Sequence, residues 1–152
     1  MPEYVFISDQ RVSTDCEAIG LTDWSNRKDS RVEEREADVI RRIIGEEALK
    51  IPLLEFKAGL EIELEHGTKF PAANVSGNHP IATGRIVLAH LKESLDYYLR
   101  LACMELEMEL TNALEAGDSQ RALVKRGDLA AAREVLEKRV LETLSRVTCY
   151  QA

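Results

Sequence analysis

The chain is short of most features that mark β-rich, secreted or membrane-spanning proteins. Aromatics make up 5% of its 152 residues, with one Trp, and there are 8 Gly and 4 Pro. A β-sandwich needs regular turn signals and many aromatic or β-branched residues, so this shortage favours helices. The three cysteines, Cys16, Cys103 and Cys149, are odd in number and widely spaced, giving neither a disulfide framework nor a CxxC metal pattern. Reduced thiols in a cytoplasmic setting are the expectation. No apolar run of 18 residues occurs, so no membrane-spanning helix is expected. The opening MPEYVFISDQ lacks the basic and apolar regions of a signal peptide. A formal net charge of −7 argues against nucleic acid as a partner, because phosphate contacts need clustered Lys and Arg, and against an anionic membrane surface. Also missing are a GxSxG elbow, a P-loop and a GxGxxG turn, so no catalytic signature can be read.

What is present reads as helix. The composition is 45% hydrophobic and 31% charged, and 152 residues can bury one sizeable core, so a single helical domain over 1–152 is expected. Residues 1–12 read as an extended N-terminal arm. Thr14 and Glu17 have capping-box spacing and open a short helix over 15–19, stopped by Gly20. Trp24 is the expected anchor of the following loop. Ser30 and Glu33 repeat the spacing and open a helix to about residue 49, with Val32, Val39, Ile40, Ile43 and Ile44 as its stripe. Pro52 opens a helix over 52–66 with Leu53, Phe56, Leu60 and Leu64 on one face and Gly67 as its stop. After the turn-rich TKFPAANVSGNHP, only Gly84 interrupts 80–115, so one very long helix is expected, roughly 50 Å at 1.5 Å per residue. AGDS at 116–119 ends it. A short helix over 119–126, a break at Gly127 with Asp128 as N-cap, and a helix to 147 complete the chain. The fold class is all-α: a bundle of four to five helices with one very long helix and an N-terminal arm, residues 52–115 forming a helical hairpin.

Two short motifs carry the candidate chemistry. ELEHG at 63–67 sets Glu63 and His66 three apart, and AHLKE at 89–93 sets His90 and Glu93 three apart in reverse order. Residues three apart on a helix share a face, their Cβ atoms roughly 5–6 Å apart. On antiparallel helices the mirrored order brings His66 level with His90 and Glu63 with Glu93. Carboxylates and imidazoles on facing helices are how bundles hold iron or manganese. Glu63, His66, His90 and Glu93 are therefore a candidate metal site for iron, manganese or zinc, with His79, expected to be exposed in the loop, as an additional ligand. A di-iron site carries two ExxH motifs, and here only Glu63–His66 has that order. Glu105 and Glu109 lie too far along to join it. The pattern thus points first to a structural lock without cofactor, Glu63 accepting from His90, Tyr97 or Arg85 and Glu93 pairing with His66. Metal binding comes second, and acid–base catalysis by the same groups third. The alternating LEIELE and MELEMEL segments leave Glu61/Glu65 and Glu105/Glu109 as like-charge pairs four apart, read first as a solvated acidic face and second as sites that basic residues of another helix or subunit would relieve.

The text FKAGLEIELEHG at 56–67, NV at 74–75, PIATGRIVLAHLKESLDYYLRL at 80–101 and ME at 104–105 resembles an uncharacterised domain family of bacteria and their phages, with the pattern FRxGMDVELEHG…TGKIALAHLNExPDYYxxL. IGLTDWS at 19–25 is similar to that family's LGIDWS segment, although roughly 25 residues here separate it from the FKAGL helix. The family has no established activity, so the resemblance brings no catalytic residue. It implies a bacterial or phage context. The expected function is a non-enzymatic helical structural or interaction protein, phage-encoded and virion- or assembly-associated, with a protein partner or a homo-oligomer. The alternative is a metal-binding protein centred on the Glu/His pair. The expected location is cytoplasmic, with the virion as the alternative.

Overall fold

The computed structural model describes residues 7–149, and every regular element among them is helical. The all-α expectation therefore holds. The proposed arm at 1–12 lies partly outside the described residues, and its last four positions, 9–12, belong to a helix. The chain divides into two compact units, residues 1–95 and 96–152.

The first unit contains α1 (Asp9–Ala18), α2 (Glu34–Ile44), α3 (Glu46–Leu49), α4 (Leu53–Lys69) and α5 (Pro80–Glu93). Helix α1 starts at Asp9, six residues before position 15 expected from sequence, because Ser8 caps it by accepting from the Arg11 amide at 3.3 Å. Helix α2 starts later than Ser30. The amide of Val32 donates to Glu61 of α4 at 3.0 Å, which holds this stretch extended and buries the Val32 side chain. The capping box that opens α2 is formed by Glu33 and Glu36. Gly45, at φ 111°, then ends α2, so the segment expected to run to 49 is cut into α2 and α3.

Helices α2, α4 and α5 pack pairwise and close the core with Ile40, Phe56, Leu60, Leu64, Val87 and Trp24, all essentially without exposure. Trp24 is the anchor its sequence position suggested. Burying side chains of this size makes truncation costly: Phe56→Ala at such a site loses about 3–5 kcal/mol. Helix α5 approaches α2 so closely that a Cβ on Gly84 would meet Ile40 Cγ2 at 2.6 Å and Ile44 Cδ1 at 2.7 Å. Helix α4 runs past Gly67, which is a point of close approach and not a stop: a Cβ there would meet Asn78 Oδ1 at 2.4 Å.

The second unit is a pair of packed helices, α6 (Tyr97–Glu115) and α7 (Ser119–Cys149). The single helix expected over 80–115 is not formed. Ser94 leaves α5 in an extended conformation with its amide on the His90 carbonyl, and α6 restarts after Asp96. The break contains neither Gly nor Pro; Ser and Asp are poor helix-interior residues, and the Asp96 carboxylate accepts from Arg100 of the restarted helix at 3.0 and 2.8 Å. The expected break at Gly127 is likewise absent, and α7 is one continuous helix of 31 residues. An isolated glycine costs a helix only about 1 kcal/mol, and good helix formers flank this one. The turn between α6 and α7 uses Gly117, and Asp118 caps α7 by accepting from the Arg121 amide at 3.0 Å.

Candidate functional site

Glu63 and His90 are the members of the sequence-predicted quartet that the fold joins. The 10-residue excursion between α4 and α5 returns the chain along α4 and brings His90 Nε2 to 3.7 Å from Glu63 Oε1, with both side chains largely covered. His66 lies half-buried in the last turn of α4. Glu93 is the last residue of α5 and is exposed, because the helix ends there. The structure does not join Glu93 to His66. Among the described residues no group of three or more His, Cys, Asp or Glu side chains is placed to hold a metal ion. Basic residues lie against both acidic runs: Lys57 lies 2.7 Å from Glu61 on the same helix, and Lys125 of α7 lies 2.5 Å from Glu109 of α6.

Two more elaborate polar centres were not visible in the sequence. The first surrounds the carboxylate of Glu36, which is 3% exposed. Its Oε1 accepts from Thr22 Oγ1 at 2.6 Å, the Thr22 amide at 3.3 Å and Trp24 Nε1 at 3.3 Å. Its Oε2 accepts from Arg27 at 2.6 Å and from the Glu33 amide at 3.2 Å. Burial by itself pushes this carboxyl up, and it is the largest single influence. The donors from Thr22, Arg27, Glu33 and Trp24 together outweigh it and hold the pKa at about 2. The Arg27 guanidinium also lies over the Trp24 ring at 4.9 Å. In the DWS segment, Asp23 accepts from the Ser25 amide and hydroxyl at 2.9 and 2.7 Å and so shapes the turn that delivers Trp24. The available signal was a Glu-x-x-Glu spacing at 33 and 36, directly before the apolar stripe of α2.

The second centre is the loop before α5. Its backbone passes through Gly77 and Asn78 at φ 55° and 59°. Asn74 Nδ2 donates to Asn78 Oδ1 at 2.8 Å, and the pair closes on the bare backbone of Gly67. His79 then caps α5: Nδ1 accepts from the amides of Ile81 at 3.2 Å and Ala82 at 3.4 Å. On the other side of the ring, Nε2 lies 3.0 Å from Asp15 Oδ2 of α1. His79, expected to be exposed, has a side chain only 14% exposed. His79 holds the Asp15 carboxyl below its usual range, and Arg11 does so next. An acceptor at Nδ1 fixes the proton on Nε2, so neither nitrogen keeps a lone pair open for a substrate proton. The Asp–His arrangement is thus a fastening and not a catalytic base. The His-Pro pair at a helix start was the signal for it.

Both polar centres lie in the first unit, whose helices α2 to α5 fall wholly within the stretch that a known family matches. Residues 12–107 match the family described as Protein of unknown function (DUF5661). The chain belongs to that family. The DUF5661 match begins inside α1, takes in every helix from α2 to α5, and ends inside α6, so α7 lies beyond it. No curated protein and no solved structure matches the chain. Among the described residues, no helix is long and apolar enough to cross a membrane.

Proposed function

We propose that this DUF5661 protein is a non-enzymatic helical interaction protein that works by assembling with a protein partner or with further copies of itself. The observation that carries this reading is the second unit. Its described residues bury Tyr98, Cys103, Ala113, Ala122 and Leu129, and leave Met104, Met108, Leu123, Val135, Leu141 and Leu144 about half exposed or more. A helical hairpin presenting that much apolar surface has the character of a recognition element. The polar centres of the first unit support the same reading, since their donors and acceptors are consumed in holding helices. The sequence motif adds a bacterial or phage setting, and assembly into a virion is the form of the proposal that this setting suggests. Light scattering and affinity capture on the full chain test it. An oligomer or a captured partner, lost in the Met108→Glu/Leu141→Glu variant while the fold is kept, is the expected result. A monomer at all concentrations that retains no partner rejects it.

Metal binding at Glu63 and His90 is the second reading, favoured by their 3.7 Å approach. The pair supplies two donors where a structural zinc takes four, so the remaining ligands come from outside the pair. Stoichiometric iron, manganese or zinc that disappears in His90→Ala supports it, and metal-free protein of unchanged stability removes it.

A further inference from the structure

The two nitrogens of one buried ring serve two helices that are 64 residues apart in sequence. Nδ1 of His79 accepts two amides at the first turn of α5, and Nε2 faces the Asp15 carboxylate of α1. These two duties respond oppositely to a second proton. A ring protonated on both nitrogens is a donor twice over and keeps, or strengthens, its contact with Asp15. The same ring cannot accept at Nδ1, and a protonated Nδ1 facing two N–H groups is repelled by them. Pro80 has no N–H, so Ile81 and Ala82 carry the orphan amides of this helix start, and a helix start that loses its acceptor is destabilised. No acidic side chain stands in the first turn of α5 to replace it.

We propose that His79 is a proton-controlled clasp: neutral, it fastens α1 to the capped start of α5, and on protonation it stays with Asp15 and releases the cap, loosening the first turn of α5 and the loop over 74–79. The charged groups that face it are Asp15 on α1 and, behind Asp15, Arg11, whose Nε lies 2.6 Å from the same Asp15 Oδ2. The loop side offers Asn74, Ser76 and Asn78, which are uncharged and hydrogen-bonded among themselves: Ser76 donates to Asn74 Oδ1 at 3.0 Å, and the Asn78 amide donates to Ser76 at 3.2 Å. The loop is tied to His79 through the backbone, the His79 amide donating to the Ser76 carbonyl at 2.9 Å. Releasing the ring therefore frees the segment that closes over Gly67. This device is independent of what the second unit binds.

The test is nitrogen NMR of the His79 ring, with amide exchange protection factors for Ile81 and Ala82, on the full chain between about pH 8 and 5, the span in which histidine switching operates. The expected result is an Nε2–H tautomer at the alkaline end and a fall of roughly tenfold in protection at Ile81 and Ala82, in step with ring protonation and without change in α4. His79→Asn keeps a capping oxygen and loses the titration, so protection at Ile81 and Ala82 becomes flat with pH. An Nδ1–H tautomer, or protection in the wild type that ignores ring protonation, would overturn the proposal.

Discussion

A methyl group added at Gly84, in the first unit, would strike Ile40 and Ile44 at 2.6 and 2.7 Å, whereas one added at Gly127, in α7, would meet nothing within 4 Å. The same residue type marks a close helix crossing in one unit and an open surface in the other. The contrast extends to the cores. The first unit seals Trp24, Ile40, Phe56, Leu60 and Leu64 from solvent and ties its helices with a buried carboxylate that accepts five hydrogen bonds. The second rests on one helix seam and on ion pairs such as Glu107–Arg133 and Glu109–Lys125, which are at least partly solvent-exposed and individually weak. The first unit has the means to hold its own shape. The second leaves Met108, Leu123, Leu141 and Leu144 more than half exposed.

The comparison breaks most severely at Glu36. Replacing it by Ala strands the Arg27 guanidinium and the Trp24 and Thr22 donors, and removing one partner of a buried pair costs about 3–5 kcal/mol. Trp24 is the only tryptophan and lies in the first unit, so urea unfolding followed by its fluorescence reads that unit. A loss under 1 kcal/mol would show that the network is incidental. Acid should act at the same place. The folded pKa of Glu36 is depressed from 4.5 to about 2, so its contribution is complete above the unfolded value and is lost as pH falls through that interval. The loss is about 3 kcal/mol, and Glu36→Gln, which removes the titration, should flatten this part of the pH dependence measured by Trp24 fluorescence. Next in size is Gly84→Ala, which forces α5 from α2 and should destabilise the first unit by about 1–3 kcal/mol in the same assay. Smallest, and opposite in sign, is Gly127→Ala: with room for the methyl and a helical backbone, it should stabilise α7 by about 0.5–1 kcal/mol, read by circular dichroism on heating. Equal signs at the two glycines would remove the distinction between the units.

Much of the first unit was legible before any coordinates, for physical reasons that can be named. Periodic apolar residues at 56, 60 and 64 must face a core, and a lone Trp among polar residues has few places to go. Boundaries were less legible. Gly and Pro are read as the breakers, yet the run breaks at Ser94–Asp96, which contain neither, while Gly127 sits within a helix. The mirrored Glu/His motifs drew attention to ELEHG and AHLKE, and the fold does bring Glu63 to His90. What it does not do is align the outer members: with Glu63 level with His90 on the returning helix, His66 falls level with Val87 and Glu93 with Leu60. The His79 clasp escaped because Asp15 is 64 positions away, and the Glu36 network because Thr22, Trp24 and Arg27 reach it from an irregular loop to which no period applies. Periodicity reports which face is buried, not which polar group will meet another across it.

Native-state hydrogen exchange on dilute full-length protein tests the contrast between the two units most directly. Amides of α2, α4 and α5 should exchange only through the opening that Trp24 fluorescence reports, while those of α7 exchange through openings of much lower free energy. Amides of α7 as slow as those of α4 would contradict the account, for they would show a second unit already complete and in no need of a partner.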